Sequence, residues 1–206
     1  MNQTNDKQKA EQYRQAAEQG DAEAMCKLGW CYFSGRGIPK NQAEAEKCWK
    51  TAVEIWKKAA EQGNTEAQYK LGRLCAPGVP AHGIPCDALE ATQWLRKAAE
   101  KGHAGAQHHL SICYYLGIGV PKDMLESVQW LRKVAEQDDD LSGVAAYELG
   151  KCYIHGWGVP QDIIEAEKWL RAAAQTREDE NIDTMLTLIE LTRKQIERSC
   201  YPADER

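Results

Sequence analysis

Apolar positions along this chain recur at helical spacing in paired blocks, separated by polar or glycine-containing breaks. Each first block centres on a leucine followed by a small residue: Leu28-Gly29, Leu71-Gly72, Leu110-Ser111 and Leu149-Gly150, spaced by 43, 39 and 39 residues. Tyr32, Tyr114 and Tyr153 stand four positions beyond three of these leucines, which puts each pair on one helical face. Each second block carries a tryptophan and an alanine-rich end, as in Trp94 to Ala99 and Trp169 to Ala174. The turns Gly35 to Pro39, Gly117 to Pro121 and Gly156 to Pro160 join the blocks, and Pro77 to Pro85 is an enlarged form of the same turn. A motif returning at this period predicts stacked repeats. Each unit reads as two antiparallel helices that can bury their apolar face only against a neighbour.

The pattern predicts one all-α repeat domain over 1–206, with a half-unit over about 7–20 and repeats over about 21–63, 64–102, 103–140 and 141–175. The half-unit has the composition of a second helix without its first. Helix-ending glycines follow it at Gly20 and recur at Gly63 and Gly102. Trp49 and Trp56, seven residues apart, lengthen one second helix by about two turns while keeping one apolar face. Asp138 to Asp140 replace a tight turn with an acidic, solvated loop suited to a cationic neighbour. Met185, Leu186, Ile189 and Ile196 predict a capping helix over about 183–199, stopped by Cys200-Tyr201-Pro202 and followed by a frayed tail.

The small residue after each anchor leucine weakens helix propensity, a cost explained by close helix approach. Ala24, Ala67, Ala106 and either Ala145 or Ala146, with Ala45, Ala91 and Ala166, permit similar crossings, and the tryptophans Trp94, Trp130 and Trp169 read as core filler. With 26 Lys and Arg against 31 Asp and Glu, the net charge is −5 and no basic stripe for a phosphate backbone stands out, which argues against nucleic acid. No run of 18 apolar residues occurs, so no membrane span is expected. The polar N-terminal stretch has no export-signal pattern, so a soluble cytoplasmic protein is expected.

These features resemble the Sel1-like repeat family, relatives of the tetratricopeptide repeats. The resemblance is carried by Ala106, Leu110, Tyr114, Gly117 to Val120, Asp123, Trp130 and Lys133, and again by Leu149-Gly150, Tyr153, Gly156, Gly158-Val159, Asp162, Ala166 and Trp169. It covers about residues 10–175. Cys75 in place of tyrosine, Ser111 in place of glycine and Val134 in place of alanine depart from the pattern. The resemblance implies a right-handed α/α superhelix of helix hairpins used for protein binding, often as an adaptor. Some exported members staple each helix pair with a disulfide, using a cysteine where this chain has Ala60, Ala99, Ala135 and Ala173. Cys31, Cys113 and Cys152 instead fall three residues after anchor leucines, as repeated core thiols do; Cys26 with Cys48 and Cys75 with Cys86 are the pairs left open.

Catalysis finds no support. His82, His103, His108, His109 and His155 form no His-Glu-x-x-His arrangement, and no Cys-x-x-Cys pair is present for zinc or redox chemistry. No enzyme activity, metal or cofactor is expected. The first helices offer a recognition surface instead. Positions two before, two after and five after the anchor leucine share a stripe distinct from the core face, and in tetratricopeptide relatives such positions line the concave groove. They are Cys26, Trp30 and Phe33; Tyr69, Arg73 and Ala76; His108, Ile112 and Tyr115; and Tyr147, Lys151 and Ile154. Nine of them, Trp30, Phe33, Tyr69, Arg73, His108, Ile112, Tyr115, Tyr147 and Lys151, are the predicted protein-binding residues, since their aromatic area exceeds what an idle surface needs. The expected function is a non-enzymatic scaffold or adaptor binding a partner protein or an exposed peptide segment. The alternatives are an immunity protein that neutralises a bacterial toxin and a homo-oligomerising structural module.

Overall fold

The computed structural model describes residues 2–74, 87–176 and 180–200, with side chains for 5–74, 87–176 and 181–191. The enlarged turn at 77–85, Ala76, His82, the Cys75/Cys86 pair and the tail from 201 lie outside the described residues, as do the side chains of Ile196 and Cys200. The described residues form helices and turns without strands.

Helix starts follow from local polar chemistry. In α2 (Ala22–Ser34) and α4 (Thr65–Arg73) the first free backbone N–H groups donate to the side chains of Asp21 and Asn64. The second helices α3 (Gln42–Glu61), α5 (Ala88–Glu100) and α7 (Met124–Ala135) are capped alike by Asn41, Asp87 and Asp123. At α9 (Ile163–Thr176) the Asp162 carboxylate accepts from Ile164 and Glu165 N–H at 2.9 and 3.0 Å. Such a cap contributes about 1 kcal/mol. The aspartates of the repeat motif are therefore helix initiators. The motif lysines have a different contact, Lys97 and Lys133 Nζ lying 4.1 and 3.8 Å from the Trp94 and Trp130 ring centroids.

Two compact units form, residues 1–103 and 104–206. In the first, α1 (Asn2–Glu18) packs on α2, which pairs with α3, and α4 pairs with α5. The helix begins earlier than the expected half-unit because nothing in the polar residues 2–9 breaks it. Ala17, Ala24 and Leu28 form one buried cluster with Tyr13 and Tyr32 against it, and Ala60, Ala67 and Leu71 form another beside Trp56 and Trp94. At 20 residues α3 exceeds the 12 to 14 of α5, α7 and α9, as the Trp49/Trp56 spacing predicts.

In the second unit α6 (Ala104–Leu116) pairs with α7 and α8 (Ser142–His155) with α9, while α10 (Glu180–Cys200) packs against α9. Val128, Leu131, Val134, Ala145, Leu149 and Cys152 fill one cluster. Leu170, Ala173, Tyr153, Ile182 and Ile189 belong to a second, so the apolar face of α10 covers the last hairpin. Asp138, Asp139 and Asp140 are all exposed, and the Asp139 carboxylate accepts from Leu141 N–H near the start of α8.

Close approach explains the glycine after the anchor leucine. A Cβ at Gly29 would lie 2.5 Å from Trp49 Nε1, and one at Gly150 would lie 2.7 Å from Leu170 Cγ. At the corresponding place in α6, Ser111 is buried, and its hydroxyl donates to the His108 carbonyl at 2.7 Å. The second glycine of the turn has a separate task. Gly158 holds φ 72°, and a Cβ there would collide with the Met124 carbonyl at the start of α7, so this turn seats on the preceding hairpin.

Candidate protein-binding surface

In the first unit the predicted residues make local aromatic pairs. Trp30 and Phe33 are 42% and 39% exposed, with ring centroids 5.7 Å apart in an edge-on arrangement. Phe33 also lies 5.9 Å from Trp49, which is buried, so this side chain partly roofs its own hairpin. Cys26 is half-buried, its carbonyl accepts from Trp49 Nε1 at 3.3 Å, and burial pushes its thiol up to about 11. Tyr69 and Arg73 are half-buried, with the guanidinium 5.6 Å from the Tyr69 centroid. The Tyr69 ring stands 4.3 Å from that of His103, whose Nε2 is 3.1 Å from Glu66 Oε2.

The second unit divides the predicted stripe. Ile112 and Tyr115 of α6 and Lys151 of α8 line one open cleft of about 160 Å³, whose other walls include Leu131, Cys152 and Ser111. Leu131 and Cys152 are buried, Ile112 is half-buried and Tyr115 is 39% exposed, which sets an apolar interior beneath an accessible aromatic. The cleft occurs at the hairpin whose crossing residue is serine rather than glycine. His108 serves a different end: its Nε2 stands 3.3 Å from Glu148 Oε2 and bridges α6 to α8. The neighbouring His109 has its Nδ1 2.8 Å from the Gly105 carbonyl, within its own helix. Tyr147 and Ile154 pack on the cluster that contains Leu170 and Ile182, together with Met185 of α10. Helix α10 occupies their side of the last hairpin, so the stripe is not uniformly open.

Two cleft residues escape a reading based on equivalent positions in the first helices. Glu148 lies next to Tyr147, one place outside the stripe, and Trp157 belongs to a glycine turn. Trp157 is 36% exposed, stacks on His155 with centroids 4.5 Å apart and stands 6.3 Å from Tyr115. An aromatic between two turn glycines, where the other turns carry Arg36 and Ile118, is the sequence signal that marks it. Chemically the cleft offers apolar contact, one carboxylate held by histidine and an ammonium. Its cysteine is not an activated nucleophile, because burial first and Glu148 second push the Cys152 thiol up to about 11. Cys26, Cys31, Cys48, Cys113 and Cys152 are thiols rather than disulfides. Among the described residues no cluster of three His, Cys, Asp or Glu side chains could hold a metal ion, and no helix is long and apolar enough to cross a membrane.

No curated protein shows significant similarity to the chain. Among solved structures, a Sel1 repeat protein from Oxalobacter formigenes is 36% identical over 83% of this chain, with a TM-score of 0.57. A protective antigen present in uropathogenic Escherichia coli strains, with an SLR fold, is 24% identical over 94% of the chain, with a TM-score of 0.48. The chain spans 65% of the length of the first protein and 55% of the second. The Sel1 repeat profile matches residues 6–21, 22–64, 65–103, 104–139 and 143–175, whose boundaries follow the helix hairpins. The chain belongs to the Sel1 repeat family.

Proposed function

We infer that this protein is a non-enzymatic adaptor that takes an exposed segment of a partner protein into the cleft between α6 and α8. Sel1 repeats generally act as protein-interaction scaffolds. The observation that carries the reading is the convergence of Ile112, Tyr115, Lys151 and Trp157, from two helices and a turn, on one open cleft. Partly exposed aromatics over an apolar interior, with charge beside them, are what a protein-binding hot spot requires. The side chains present favour contact over bond-making, since the cleft thiol is protonated at neutral pH. Thiols throughout the described cysteines support a reducing compartment, the cytoplasm.

A photo-crosslinking residue placed at position 115 tests this reading, with the same residue at Gln129, exposed on α7, as the reference. In native extract, position 115 captures a stoichiometric partner through one segment and position 129 does not. Equal capture at both positions, or capture at 129 alone, moves the interface off the cleft.

A further inference from the structure

The cleft carries information about the segment it receives, and this inference rests on its reading as a partner-binding site. Its interior is apolar through Ile112, Leu131 and Cys152. Its volume of about 160 Å³ is close to that of a cavity of about 150 Å³ that accepts benzene, so one phenylalanine or leucine side chain fills it. One ammonium group lines the cleft and a second lies over the ring of Tyr115, a residue of its wall. Lys151 lines the cleft with its Nζ 5.4 Å from the Tyr147 centroid, and Lys122 Nζ lies 5.6 Å from the centroid of Tyr115. Among the described residues neither lysine forms an ion pair with a carboxylate. The carboxylate that lines the same cleft, Glu148, stands 3.3 Å from His108 Nε2.

Lysines resting on aromatic rings retain their charge and hydrogen-bonding capacity for an incoming anion. The pocket therefore offers an apolar socket with two cations at its margin, and a basic or neutral segment would leave both without partners. We propose that the cleft binds an acidic linear segment of the partner in which one phenylalanine or leucine, inserted between Tyr115 and Leu131, is flanked by aspartate or glutamate that pairs with Lys151 and Lys122. A segment of this kind binds by an aromatic or aliphatic anchor, with charge steering its approach and setting its register.

Selection of random peptides displayed on phage, using the whole chain as target and its Lys122→Glu/Lys151→Glu form as counter-target, tests the proposal. The enriched peptides share a Phe or Leu with an acidic residue within three positions. Measured by fluorescence anisotropy, a synthetic copy loses about tenfold or more affinity when its anchor becomes alanine or when either lysine is reversed. The thermal melts of the Lys122→Glu and Lys151→Glu proteins stay near wild type, and Lys122, exposed in a turn, keeps the test valid if Lys151→Glu does not fold. An enriched consensus without acidic residues, affinity indifferent to both reversals, or no enrichment over the counter-target would overturn the proposal. A basic or neutral segment captured by the crosslinker at position 115 would also overturn it while leaving the cleft as the partner site; anionic small molecules displacing no peptide from the cleft are consistent with a protein segment as its occupant, and their displacing it as strongly as the peptide's acids would contradict the anchor.

Discussion

Gly102 and Gly158 both hold left-handed backbone, with φ 88° and 72°, yet a side chain would meet different surroundings at each. A Cβ at Gly102 meets nothing within 4 Å, whereas at Gly158 it strikes the main chain at Met124, which cannot turn aside as a flexible side chain would. Gly102→Ala is expected to cost about 1 kcal/mol, the left-handed penalty alone. Gly158→Ala adds overpacking of about 1–3 kcal/mol, and urea unfolding of the two variants should separate them in that order. Core thiols give a second test at this scale. Cys31, Cys113 and Cys152 are 7%, 3% and 7% exposed, and burial raises the thiols of Cys31 and Cys152. Iodoacetamide at pH 8 should leave these three unmodified in native protein and label all three after denaturation, without a reductant; a mass showing any of them in a disulfide would overturn their core role. Their three-residue offset from the anchor leucines made that role legible in the sequence. The seating of Gly158 on Met124 was not, because a positive φ can be inferred from a glycine turn but the backbone it touches depends on packing.

Between elements, α2 and α4 are tied by Lys70, whose Nζ lies 3.0 Å from Glu23 Oε2 and 3.4 Å from Glu66 Oε1. Hydrogen bonds from Lys70 and then Lys27 hold the Glu23 carboxyl below its usual 4.5. A depressed carboxylate contributes stability that is present above its unfolded pKa and lost as pH falls through the folded value. The melting temperature of wild type should therefore exceed that of Glu23→Gln near pH 7, with the gap closing below about pH 4.5. Glu23 is about half exposed, so solvent screening keeps the effect small and added salt reduces it. A gap that persists unchanged at pH 3 would remove the carboxylate from the account. Helix periods and hairpin pairing were readable from spacing alone, whereas the capping role of Asp123 and Asp162 emerges only from the hydrogen bonds their carboxylates accept. The proposed cleft was readable only in part. Ile112, Tyr115 and Lys151 share a cleft, but Tyr147 and Ile154 are taken up by the cluster that α10 completes, and Glu148 and Trp157 enter from outside the stripe. Periodicity identifies a face; which neighbour covers it is decided by tertiary packing.

At the scale of the molecule, α10 and the cleft make separable demands on the second unit. Ile182 is fully buried and Ile189 is 5% exposed, so ending the chain after Gln175 returns both side chains to water and uncovers Leu170 and Tyr153. At about 1.5–3 kcal/mol for each isoleucine, the truncation should cost about 3 kcal/mol or more and lower the melting temperature clearly. Unchanged melting would deny α10 a capping role. The cleft demands little of stability, because Tyr115 is 39% exposed and its truncation opens no buried cavity. Binding and folding can therefore be read apart on this one side chain. Calorimetric titration of the partner captured at position 115 against wild type and Tyr115→Ala, with thermal melts of both, tests the central claim most directly. The account predicts unchanged melting with affinity weakened by about 2 kcal/mol, close to thirtyfold. A folded Tyr115→Ala protein that binds this partner as tightly as wild type would contradict it.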